Sequence, residues 1–139
     1  VYPVTELEKL LPETDLLFMS LPSVSDTMNI LNADRMALLP KGAYVINVGR
    51  GTAIDQDALI KALDSGHLAG AALDVVVPEP LPADHPLRKA KNLLLTPHVA
   101  GNMTLGYTCE RNVQLFCENL ENYAAGRPMH HLVDRRKGY

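Results

Sequence analysis

The sequence predicts an α/β fold built on a doubly wound parallel sheet. Short apolar runs at 16–21, 43–48, 71–75 and 92–96 lack the apolar–polar alternation of a half-solvated strand, so they read as strands covered on both faces. Helical patterns or long crossovers separate them, as parallel pairing requires. Each run also ends beside residues able to do chemistry, and ligands in such sheets sit beyond the carboxyl ends of the strands.

Taken in order, Thr5 with Glu8 has the spacing of a capping box ahead of Leu7, Leu10 and Leu11, and Pro12 ends that short helix. The first strand, Leu16 to Leu21, is closed by Pro22. Asn32 is placed to cap a helix through Met36 and Leu39, ended by Pro40, Lys41 and Gly42. The second strand runs into Asn47, Val48, Gly49, Arg50 and Gly51. Asp55 caps a helix whose apolar face is Ala58, Leu59, Ala62 and Leu63, stopped at Gly66. A third strand ends in Asp74 and Val75. The segment 78–86 holds four prolines and predicts an irregular loop. A fourth strand ends at Thr96 and Pro97. A long helix is expected from about Met103 to Ala125, with Leu105, Cys109, Val113, Phe116, Leu120 and Tyr123 spaced by three and four, and Gly126 and Pro128 ending it.

Composition narrows the function. The chain has 139 residues, 47% of them hydrophobic, enough for the core of one domain. A net charge of −3 does not fit a nucleic-acid footprint, and Arg135, Arg136 and Lys137 read as a solvated terminus. The apolar runs are strand-sized, not membrane spans. The two cysteines, Cys109 and Cys117, lie about 12 Å apart along one expected helix, too far for a disulfide, which fits a reduced cytoplasmic setting. His130 and His131 read as a tail feature, and His67 and His85 as turn residues. Metal-ligand spacing and a G-x-S-x-G elbow are both missing from the sequence, which weighs against an α/β hydrolase.

Parallel strands would bring Arg50, Asp74, Glu79 and His98 to one sheet edge. An arginine between two glycines suits an anion: glycine admits close backbone approach or a positive φ, and the guanidinium forks onto a carboxylate. Arginine, carboxylate and histidine together suit reduction of a 2-oxo acid. The arginine holds the substrate carboxylate, the histidine gives a proton to the carbonyl oxygen, and a nearby glutamate favours the imidazolium. Taken singly, each has a plainer reading: Arg50 as a surface charge, Glu79 as a solvated loop residue, Asp74 as a cap on neighbouring backbone, and His98 as a cap on the last helix.

The segments 45–51, Asp55 with Ala58 and Leu59, 70–75, 79–82, and 96–98 with Ala100 and Gly101 closely resemble the D-isomer-specific 2-hydroxyacid dehydrogenases, in order and at matching spacing over nearly the whole chain. The ending Val133, Asp134, Arg135, Gly138 and Tyr139 is similar to the glyoxylate/hydroxypyruvate reductase A branch. The resemblance implies Arg50 as the substrate-binding arginine, His98 as the catalytic acid and Glu79 as its partner. It implies Asp74 near the nicotinamide carboxamide, Leu21 and Pro22 on the adenosine side, and Val48, Gly49, Ala100 and Gly101 along the nicotinamide. It implies NAD(P) as the cofactor, with NADP favoured by the resemblance to that branch. Val76 and Val77 stand where the family commonly has an aromatic. The family's G-x-G-x-x-G turn does not occur in this sequence, so the expected architecture is the second half of a Rossmann-type doubly wound sheet over residues 1–102. A long helix and irregular tail, 103–139, would then return towards a largely absent substrate domain. The resemblance implies a reductase of small 2-oxo acids, homodimeric when whole; as a fragment the chain is expected to be inactive alone and prone to self-association. The alternative is a non-catalytic binding or corepressor-like module on the same half-fold.

Overall fold

The computed structural model describes residues 1–101 and 105–138. The chain divides into two compact units, Val1–Val99 and Ala100–Tyr139. The first holds a four-stranded sheet: β1 (Leu16–Met19), β2 (Ala43–Asn47), β3 (Leu68–Leu73) and β4 (Leu93–Leu95), in that spatial order. All pairings are parallel. Each carboxyl end therefore points the same way, as the sequence requires.

Two α-helices connect strands over this sheet. Helix α2 (Ala33–Leu38) starts at Asn32, whose side chain accepts from the Arg35 N–H at 3.0 Å. Helix α3 (Gln56–Asp64) starts at Asp55, whose Oδ1 accepts from the Ala58 N–H at 3.0 Å. Both caps satisfy a donor that the first helical turn leaves without an intrahelical partner. Gly66, at φ +70°, ends α3 in the left-handed region that a side chain would strain. The core gathers Met36, Leu39, Leu59 and Leu63 against Met19, Val45, Ala71 and Leu73.

Two local expectations change. The Thr5 capping box does not form: a 3₁₀ turn already begins at Val4 behind Pro3, so Thr5 lies inside the turn instead of before it. Helix α1 (Leu7–Leu10) follows with no side-chain cap, and Pro12 sits in a further 3₁₀ turn, Leu11–Glu13, instead of stopping the chain there. Proline's fixed φ suits the opening of such a turn. One sheet face is exposed, as the expected half-sheet implies. In register, Leu16 stands beside Tyr44 and Gly70, and Phe18 beside Ile46, Ala72 and Leu94. On this face Leu16, Phe18, Tyr44 and Leu94 are exposed, while the alternate residues enter the core.

The second unit contains α4 (Gly106–Ala124), closed by Gly126 at φ +65°. Its expected start, Met103, lies outside the described residues. The apolar stripe has the expected helical spacing, yet Val113, Phe116, Leu120 and Tyr123 are all exposed. Cys109 and Cys117 are free and exposed. Asn119 ties the tail to this helix, accepting from the His130 N–H at 2.7 Å and donating to its carbonyl at 3.1 Å. No described helix is long and apolar enough to cross a membrane.

Candidate active site at the carboxyl edge of the sheet

Strand β2 ends in Asn47, which is fully buried. A buried amide must be bonded, and Asn47 folds the next residues around itself. Its Oδ1 accepts from the Gly49 N–H at 3.0 Å and its Nδ2 donates to the Arg50 carbonyl at 2.9 Å. The flanking glycines serve packing, not a positive φ. A Cβ on Gly49 would lie 2.5 Å from the Leu21 nitrogen, and one on Gly51 would lie 2.5 Å from the Val76 carbonyl oxygen. Arg50 thus projects from a turn wedged between the exits of β1 and β3, and its Nη1 donates to the Gly49 carbonyl at 2.7 Å. Pro22 lies beyond Leu21, its carbonyl accepting from the Thr27 hydroxyl at 2.6 Å, and the Val48 N–H donates to Met19 at 2.9 Å.

Beyond β3, Asp74 is buried and organises the turn that carries His98. Its backbone carbonyl accepts from the His98 N–H at 2.9 Å. Its Oδ1 accepts from the Val99 N–H at 2.9 Å and from the Thr96 hydroxyl. His98 itself has φ +55°. A non-glycine residue there costs roughly 1–2 kcal/mol, and the Asp74 bonds hold it in place. The plainer reading of Asp74, a cap on neighbouring backbone, is what these contacts show. His98 lies well before the start of α4 and caps no helix.

Glu79 and His98 meet directly, Nδ1 to Oε2 at 2.7 Å, with side chains 37% and 47% exposed. Glu79 Oε1 accepts from the Val76 N–H at 2.9 Å. The His98 hydrogen bond, then the Val76 N–H, with smaller help from the charges of His98 and Arg50, hold the Glu79 carboxyl below the ordinary glutamate range, against a slight upward push from burial. An ionised carboxylate only accepts, so Nδ1 carries the proton between them, and Nε2 is left as the atom for proton exchange.

The pair stands between two cavities. One, of about 220 Å³, is lined by Arg50, Glu79 and His98 with Ser23, Thr52 and Val76. The other, of about 570 Å³, is lined by Asp74, Glu79 and His98 with Leu81, Leu95 and Thr96. All four edge residues therefore converge as the strand pattern requires. Ala100 and Gly101 are exposed members of the second unit. Two residues were given no role by the sequence. Asn47 carried a signal, a polar residue closing an apolar strand beside Arg50. Gln56 carried none, because its partner Val77 lies 21 residues on. His67 and His85 prove structural: His67 Nε2 meets the Met36 carbonyl at 3.0 Å, and His85 Nδ1 accepts from the Leu87 N–H at 3.2 Å.

Residues 1–100 match the NAD binding domain of the D-isomer specific 2-hydroxyacid dehydrogenases. The chain belongs to that family. Among curated members, a glyoxylate reductase of Aeropyrum pernix is 40% identical over 93% of this chain and 38% of its own length. A glyoxylate/hydroxypyruvate reductase A of Salmonella newport is 36% identical over 96% of this chain and 42% of its own. This family member thus spans less than half of either relative. Among solved structures, a D-isomer specific 2-hydroxyacid dehydrogenase from Xanthobacter autotrophicus, in complex with NADPH and MES, is 40% identical. It covers the whole of this chain and 56% of its own, with a TM-score of 0.88. The NADPH-dependent glyoxylate/hydroxypyruvate reductase of Sinorhizobium meliloti, in complex with NADP and sulfate, is 32% identical, covering 99% of this chain and 44% of its own, with a TM-score of 0.86. The 2-hydroxyacid dehydrogenase NAD-binding fold is therefore present here over residues 1–100.

Proposed function

We propose that this chain is the second half of the dinucleotide-binding domain of an NAD(P)-dependent reductase. The enzyme turns a small 2-oxo acid, of the glyoxylate or hydroxypyruvate kind, into a D-2-hydroxy acid in the cytoplasm. The observation that carries the reading is the Glu79–His98 pair on a cavity shared with Arg50. Arg50 binds the substrate carboxylate through its fork and orients the carbonyl. His98, with Nδ1 held by Glu79, presents Nε2 and gives that proton to the carbonyl oxygen as the carbon is reduced. Glu79 stays ionised and keeps the ring in one orientation. Oxidation of the 2-hydroxy acid runs the same transfer backwards, with neutral His98 as base.

The residues fit a nicotinamide group. The larger cavity is of ligand size and borders the buried Asp74, whose carboxylate suits a carboxamide donor. Asp74 and His98 would hold the ring's side of the site, and Val48, Gly49, Leu21 and Pro22 would line the remainder. When bound, the cofactor supplies the hydride. NADP is favoured by the two solved relatives, and the chain's short span of its relatives supports its status as a half-domain.

Self-association belongs to the same reading. Among the described residues, strand β1 pairs only with β2, and the sheet face beside it exposes Leu16, Phe18 and Tyr44. Light scattering is expected to show oligomers that grow with concentration; a monomer at all concentrations contradicts it. The functional test is Arg50→Ala in a full-length enzyme carrying this chain. With NADPH and glyoxylate, kcat/KM is expected to fall about 100-fold, near 3 kcal/mol of charge-assisted bonding. Unchanged turnover refutes the role of Arg50.

A further inference from the structure

We infer that Gln56 is a positioning residue for the Glu79–His98 pair. Its side-chain amide takes both backbone polar groups of a single residue, Val77. Nε2 donates to the Val77 carbonyl at 2.6 Å, and Oε1 accepts from the Val77 N–H at 2.9 Å. Facing residues of an antiparallel ladder exchange two bonds in this way; here a side chain supplies them to a segment that has no ladder. Glutamine suits the task because its planar amide carries one acceptor and a donor side by side. Glutamate lacks the donor, and asparagine is one carbon shorter.

The clamp has a fixed end and a working end. Gln56 is the first residue of α3, whose start is set by Asp55 accepting from the Ala58 N–H at 3.0 Å. Val77 lies two residues before Glu79, and its neighbour Val76 donates its N–H to Glu79 Oε1 at 2.9 Å. The other Glu79 oxygen meets His98 Nδ1 at 2.7 Å. Gly51 lies against the Val76 Cα and carbonyl, the peptide unit that follows this N–H, with no room for a Cβ. Helix α3 therefore holds the Val76–Val77 peptide from one side through Gln56, and the Arg50 turn holds it from another through Gly51. Only the Val76 Cα separates that held peptide from the Val76 N–H, which aims one carboxylate oxygen of Glu79 and leaves the other for His98. The charged groups facing Glu79 are His98 and Arg50, with Asp74 and Arg88 lining the adjoining cavity.

This inference rests on the acid–base role proposed for the pair, but its test needs no turnover, so the two can fail separately. In the isotope-labelled 139-residue chain, the carboxyl carbon of Glu79 is titrated by NMR. Gln56→Met keeps the length and shape of the side chain and removes both bonds. The Glu79 midpoint is then expected to move up, towards the ordinary glutamate value of 4.5, as the Val76 N–H and the histidine lose their alignment. Asn32→Ala, which removes the cap of α2, lowers thermal stability without touching Val77 and is expected to leave the midpoint in place. An unmoved midpoint in Gln56→Met, or an equal movement in Asn32→Ala, overturns the inference. Should Gln56→Met not fold, the through-bond coupling between the Gln56 amide nitrogen and the Val77 carbonyl decides in the wild-type chain: its presence supports the clamp and its absence refutes it.

Discussion

The Arg50 turn and the Glu79 turn meet at one cavity but are held by different means. The Arg50 turn is part of the core. Asn47 beneath it is fully buried and bonds both Gly49 and Arg50, and the two glycines touch backbone on either side. The Glu79 turn is exposed, lies outside the described strands, and is held by a pair of side-chain bonds from Gln56 and by the bonds of Glu79 to Val76 and His98. In the proposed roles, Arg50 anchors substrate and must stay in place, which dense packing serves. Glu79, as proposed partner of His98, needs only one well-aimed oxygen, which the inferred Gln56 clamp would supply.

The largest expected break of this contrast is Gly49→Ala. Its Cβ would stand 2.5 Å from the Leu21 nitrogen, and backbone cannot swing aside as a side chain can. A loss near the upper end of overpacking, about 3 kcal/mol, is expected in urea unfolding. A loss under about 0.5 kcal/mol means that the turn is not wedged against β1.

The smallest effect lies at Glu79→Gln. Glu79 has a depressed folded-state pKa, so its stabilisation is full above the ordinary glutamate value of 4.5 and is lost as pH falls through the folded pKa. Wild type should exceed Glu79→Gln near neutrality, by no more than about 1 kcal/mol for so exposed a pair, and the gap should close in acid. A gap that widens as pH falls contradicts the sign.

These regions also differ in how far the sequence discloses them. The four strands, the Asn32 and Asp55 caps and the Gly66 stop follow from local rules, and local contacts enforce them. Arg50, Asp74, Glu79 and His98 were legible because parallel strands must deliver their ends to one edge. The reason for the glycines was misread: close approach was the right idea, but to Leu21 and Val76 backbone, which no local pattern shows. The Thr5 cap failed because Pro3 begins the turn earlier. The continuous apolar runs follow from parallel pairing, and the exposed Leu16, Phe18, Tyr44 and Leu94 lie on the face that the expected half-sheet leaves open. Gln56 was invisible, unlike Asn47, whose place at the close of an apolar strand marked it. Its bonds cross from helix to loop at the surface, where neither burial nor periodicity marks a residue.

The central claim is that His98 moves a proton while Arg50 holds the acid. Its most direct measurement is the NADPH-dependent reduction of glyoxylate or hydroxypyruvate by a full-length enzyme carrying this chain, compared with its His98→Asn variant. Loss of kcat by about 10²–10⁴-fold is expected, the range of a positioned general acid. A variant that keeps the wild-type kcat contradicts the account.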